Sequence, residues 1–225
     1  MSEKRSKQME EGGDVERLRH EPHWPAAVAL LAVGGLSMAL PPSIAVGPRW
    51  LLLVMVTALV IPAVITFHRH PGVNRVLGHC LAGLITFFMV WSLVLLVQAL
   101  PTHAEPPMIL LRSAACLWAT NVVVFAYWYW RLDAGGPHSR AKRDEHTEGA
   151  FLFPQMAMPQ AAEKTGKAWS PWFIDYLFLA FNTSAAFSPT DTPVLSRWAK
   201  VLTMMQAAIA LGITLLLAAR VVNIL

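Results

Sequence analysis

Apolar residues run through this chain in long blocks and do not alternate with polar ones, a pattern of membrane or fully buried helices and not of half-exposed strands. The blocks cover 25–40, 50–67, 77–100, 108–130, 172–187 and 193–223. At ~1.5 Å per residue, the third and fourth cross a ~30 Å hydrocarbon layer comfortably. Pro41 and Pro42 end the first block, which also holds Gly34 and Gly35, and Pro62 predicts a kink near the end of the second. The fifth block has only about 16 residues, ~24 Å as a helix. It carries Asp175 near its start and Asn182, Thr183 and Ser184 near its end. Ser188-Pro189-Thr190-Asp191-Thr192-Pro193 follows, where Pro189 disfavours helix at Ser188. Asp191 or Thr192 is suited to cap a new helix with Pro193 at its first position. Short helix, polar turn and long helix is the expected order.

Composition supports this reading. Of 225 residues, 55% are hydrophobic and 14% charged, with a mean hydropathy of +0.46. Soluble domains carry about 25% charged residues, so a single soluble core is excluded. Disordered and collagen-like chains are excluded by the apolar content, and a disulfide scaffold by the presence of only 2 cysteines. Cys80 and Cys116 lie inside apolar stretches with no CxxC or Cys/His spacing and read as small hydrophobes. The expected fold is all-α: a polytopic helical membrane bundle with four full spans, a short helix or re-entrant pore-like hairpin, and a long C-terminal span. Its expected parts are a disordered polar tail (1–23), a four-helix transmembrane region (24–131), a loop (132–170) and the C-terminal unit (171–225). The tail is long and partly acidic and resembles no signal peptide.

Charge orients the chain. With the tail in the cytoplasm and six crossings, only Arg49, Arg112, Arg197 and Lys200 of the 18 Lys and Arg residues lie outside. If 172–187 re-enters instead, only Arg49, Arg112 and Arg220 do. Both counts satisfy the positive-inside rule and put the tail and the 132–170 loop in the cytoplasm. They do not separate a crossing from a re-entrant loop. Tyr127, Trp128, Tyr129 and Trp130 before Arg131 read as an interfacial aromatic belt. Phe151-Leu152-Phe153-Pro154 is too short to cross, and packing on the bundle or dipping into the interface is expected.

Candidate chemistry concentrates near the C-terminus. Irregular backbone at membrane depth is tolerated only where protein or a water-filled cavity covers it. The hydroxyls, amide and carbonyls of 182–191 can replace part of an ion's hydration shell, although an ordinary short span with a polar end is also compatible. Asn182, Thr183, Ser184, Ser188, Thr190 and Asp191 are therefore the expected lining, with Thr203 and Gln206 behind them. Thr203, Gln206, Ala210 and Thr214 share one stripe of the last helix, a stripe for helix packing or a water path, and Gly212 is a possible hinge. Asp175 suits either the hairpin mouth or the helix start. Arg112 and Arg220 are placed to snorkel. His68 and His70 lack a further ligand nearby, and no HExxH, GxSxG, P-loop or GxGxxG is present. No cofactor, metal, enzymatic role or nucleic-acid partner is expected. The pI of about 9.3 fits loops over anionic lipid.

Phe173-x-Asp175-Tyr176-Leu177-x-x-x-Phe181, then Asp191 and Ser196-Arg197, resembles a bacterial multi-pass membrane family of unknown function. That resemblance implies four spans, a loop, a short apolar segment and a final helix, in the bacterial inner membrane. More distantly, the segment is similar to the pore helix, filter and inner helix of potassium-type pore-loop channels. There an aromatic pore helix precedes the filter and an acidic residue follows it, as Asp191 does here. Ala186-Phe187-Ser188-Pro189-Thr190 stands in place of the glycine-containing TVGYG, so potassium selectivity is not implied. The likeness implies a channel-like or transport protein passing ions or small solutes through the pore of a homo-oligomer, a tetramer being one form. The alternative is a non-transporting scaffold or accessory subunit that docks partners through 132–170.

Overall fold

The computed structural model describes residues 22–67, 69–99, 105–141, 149–157, 169–185 and 191–222. These residues are helical, apart from turns and one isolated bridge between Phe151 and Val194. We number the helices α1 (Trp24–Ser37), α2 (Leu51–Thr66), α3 (Pro71–Ala99), α4 (Pro107–Leu132), α5 (Pro137–Ala141), α6 (Phe173–Ala185) and α7 (Arg197–Val222). Three helices, α3, α4 and α7, are long and apolar enough to cross a membrane. At 14 and 16 residues, α1 and α2 reach only ~21 and ~24 Å.

Local chemistry explains the shortfall. After Ser37 the chain tightens into i−3 hydrogen bonds, Met38 to Gly35, Ala39 to Leu36 and Leu40 to Ser37, and then meets Pro41 and Pro42. Leu40 and Ile44 stay buried although they lie in the connecting loop. Apolarity there marks packing and not helix. Gly34 lets α1 approach α2 closely, since a Cβ there would lie 2.8 Å from Leu53 Cδ1 and 3.0 Å from its Cα. Pro62 is carried inside α2.

Helix α4 is the hub. It packs against α1, α3, α6 and α7, and each of its successive faces meets a neighbour. This overturns the reading of its aromatic end as a lipid-facing belt. Tyr127, Tyr129 and Trp130 are buried, and Trp128 is half-buried and donates Nε1–H to Thr86 Oγ1 at 2.9 Å. Consecutive residues sweep ~100° each around a helix, so a helix surrounded by four others turns them all inward.

The C-terminal helix also departs from expectation. It begins at Arg197 with Ser196 Oγ accepting from the Ala199 N–H at 3.3 Å, four residues later than Pro193 suggests. Residues 193–195 pair with 150–152 instead: Leu152 N–H donates to Pro193 O at 2.9 Å and Leu195 N–H to Ala150 O at 2.8 Å. Phe151 and Phe153 are buried against Tyr176 and Trp169.

Candidate functional site

Two polar knots fix α6 against α4 and α7. The first sits where α4 ends. Asp133 is fully buried; its Oδ2 accepts the Tyr176 hydroxyl at 2.6 Å and its Oδ1 the Ala150 N–H at 2.5 Å. Arg140 Nη1 donates to Asp133 O and Trp130 O, and its guanidinium lies 5.2 Å from the Tyr176 ring centre. At the start of α6, Trp172 N–H donates to Asp175 Oδ2 at 2.7 Å, so Asp175 satisfies an orphan amide of its own helix.

The second knot lies deeper. Gln206 of α7 is fully buried. Its Oε1 accepts the Tyr129 hydroxyl at 2.5 Å, and its Nε2 donates to Ala180 O at 2.7 Å and Ser184 Oγ at 2.8 Å. The Ala180 carbonyl can only accept, which fixes the orientation of the amide. Asn121 Nδ2 points at Ser184 Oγ and Gln206 O, both at 3.4 Å, while its buried Oδ1 has no hydrogen-bond partner among the described residues. Three helices thus contribute an uncharged set of hydroxyl and amide groups.

Together the knots fix direction. Along α4 the chain runs from Asn121 to Asp133; along α6, from Tyr176 beside Asp133 to Ser184 beside Asn121. Helix α7 runs from Trp198, whose ring meets Phe151, to Gln206 beside Ser184. Helices α6 and α7 therefore lie side by side and parallel, both antiparallel to α4. After Ala185 the chain is back at the Asp133 end by Val194.

Of the expected site residues, the structure brings Ser184 and Gln206 together. Asn182 and Thr183 are half-buried, and Thr183 Oγ1 donates to Leu179 O at 2.8 Å within its own helix. Asp191 is exposed. Ser188 and Thr190, like His68 and Pro189, lie outside the described residues. Thr203 bonds the carbonyls of Ala199 and Lys200 on its own helix, and Thr214 does the same to Ala210. A Cβ at Gly212 would meet open space. Among the described residues no group of three His, Cys, Asp or Glu side chains could hold a metal ion. No family model, curated protein or solved structure matches this chain.

Asn121 and Tyr129 are site residues that sequence reading passes over. A lone Asn inside the fourth apolar run is the signal that points to Asn121, since an amide at that depth must find a partner. Replacing Gln206 with Leu is expected to cost about 1–3 kcal/mol, because it strands the Tyr129 hydroxyl and Ser184 together. Thermal unfolding in detergent reads this, and a cycle with Tyr129→Phe should be clearly non-additive. Additive losses would show that the two side chains do not share a bond.

Proposed function

We propose that the protein is a channel-like or transport protein in which 171–192 forms a re-entrant hairpin. Several copies together would line a path for cations or small polar solutes. The observation that carries this reading is the parallel course of α6 and α7. A helix that crossed and returned through a second helix would be antiparallel to it. Helix α6 spans 13 residues, ~20 Å, less than the ~30 Å hydrocarbon layer. A short helix packed along one face on α4 and α7, with a polar end and a return to the same side, is the geometry that irregular backbone needs at membrane depth.

The knots refine the expected lining. Ser184 and Gln206 are used within one copy to hold α6 on α7, so the path falls to Asn182, Thr183 and the segment through Asp191. With the hairpin on the tail's side, 15 of 18 Lys and Arg residues share the cytoplasmic face, which supports an inner-membrane protein with a cytoplasmic N-terminus.

Single cysteines at Lys142, Thr190 and Ile224, introduced after replacing Cys80 and Cys116, test the hairpin. Lys142→Cys and Thr190→Cys should react with an impermeant reagent from one side, and Ile224→Cys from the other. Opposite sides for 142 and 190 would refute re-entry. In liposomes the purified protein should pass cations or small solutes, with flux altered several-fold by Asp191→Ala. Flux no greater than in empty liposomes under several gradients and voltages rejects the transport reading.

A further inference from the structure

Arg131, in the last turn of α4, is 6% exposed, and its guanidinium makes every hydrogen bond to a neutral group. Nη1 donates to Asn74 Oδ1 at 3.0 Å, and Nη2 to Asn74 O at 2.8 Å and Arg75 O at 3.1 Å. Nε is buried with no partner among the described residues. Among the described residues, the charged groups that act on it are Arg140 and Arg75, both of the same sign. A buried arginine is ordinarily matched by a carboxylate or phosphate, because an unmatched charge away from water is expensive. Among the described residues this one has three neutral acceptors and two repelling neighbours.

The space around it is amphipathic. On one side Arg131 lines a polar cavity of about 200 Å³ with Arg75, His138, Ser139 and the backbone of Gly135 and Gly136. On the other it lines a narrow apolar cleft of about 40 Å³ between α1, α2, α3 and α4, walled by Ala27, Leu30, Val60, Val64 and Leu81. Phe67, stacked on His138 at 4.1 Å, stands where the two adjoin. Arg131 closes a helix of membrane-crossing length, the level at which lipid headgroups lie.

We propose that this is a binding site for one anionic phospholipid, with its phosphate at Arg131 and Arg75 and an acyl chain in the cleft beside α1 and α2. Fixed guanidinium donors suit a phosphate, and the apolar cleft gives a lipid an advantage that a free anion lacks. This site is separate from the α6–α7 hairpin and does not depend on its role.

Native mass spectrometry of the full-length protein, delipidated in mild detergent, tests the proposal with three ligands: dioleoylphosphatidylglycerol, dioleoylphosphatidylcholine and inorganic phosphate. One phosphatidylglycerol per chain should be retained, and neither phosphatidylcholine nor inorganic phosphate should replace it. Arg131→Gln should lower its occupancy at least tenfold. Since Arg131→Gln also loosens α3, Ala27→Trp, which fills the cleft and leaves the arginine bonds in place, should do the same, and the exposed Arg75→Gln should lower it several-fold. Equal retention of phosphatidylcholine would mean non-specific lipid and overturn the site. Displacement by inorganic phosphate would make the ligand a soluble anion and overturn the lipid assignment. Undiminished binding in folded Ala27→Trp and Arg75→Gln would also overturn it.

Discussion

Asp133→Ala should lower stability by about 3–5 kcal/mol, a large part of the ~5–15 kcal/mol that holds a typical domain folded. The side chain is wholly buried and serves two other segments at once, the Tyr176 hydroxyl of α6 and the Ala150 amide. Truncation removes a charged acceptor from both and leaves them buried without it; a hydrogen bond to a charged group contributes ~1.5–3 kcal/mol. Asp133→Asn keeps an acceptor of similar shape but loses the charge, and should fall between the wild type and the alanine variant. An acidic residue at the C-terminal end of a helix opposes the helix dipole. Asp133 is therefore of no benefit to α4 and is explained by what it ties to α4. Thermal unfolding in detergent gives the magnitude. Protease cleavage within 149–157 shows whether that segment has come away. A loss under about 1 kcal/mol with no new cleavage would mean that the knot carries little.

The two knots act at two levels of one interface. Asp133 holds the beginning of α6, and Gln206 holds its end. Between them Leu179 and Ala180 are buried, while Ile174, Phe178 and Phe181 face outward. A 13-residue helix is marginal on its own, so its position depends on these anchors and on packing. If the hairpin lines a path, loosening either knot should change flux even though neither Asp133 nor Gln206 needs to touch the solute.

Part of this was legible along the chain. Long apolar runs and few charges announced a helical membrane-type protein, and three helices long enough to cross follow from them. The first run overstates its helix, because Leu40 at its end is apolar for packing in a loop. The start of α7 was hidden because residues 193–195 pair with a segment some forty positions earlier, and no local rule around Pro193 carries that information. Ser184 and Gln206 stood out as polar residues in apolar helices, but their pairing is a fact of three dimensions. Tyr129 was masked by its aromatic neighbours, which together look like a belt. Asn121 and Asp133 did leave traces, an amide in an apolar run and an acid at the wrong end of a helix.

Gly78→Ala should be the most damaging small substitution in α3. A Cβ at this position would fall on Nη2, Cζ and Nε of Arg131, so the whole guanidinium plane must move. That plane is held by Asn74 and Arg75, and Asn74 Nδ2 in turn donates to Ala63 O of α2 at 2.6 Å, so displacement propagates to a third helix. Weakening these three bonds to a charged group, each contributing ~1.5–3 kcal/mol when intact, should cost about 3–5 kcal/mol. Alanine returns at most ~1 kcal/mol of helix propensity, leaving a net loss of about 2–4 kcal/mol. Two comparisons make the cause explicit. Gly83, in the same helix, has nothing within 4 Å of its Cβ position, so Gly83→Ala should be neutral or stabilising by up to ~1 kcal/mol. In an Arg131→Ala background the collision disappears, and Gly78→Ala should there raise the unfolding temperature. A loss that persisted without the arginine would assign the glycine's role to backbone freedom and remove the guanidinium from the explanation.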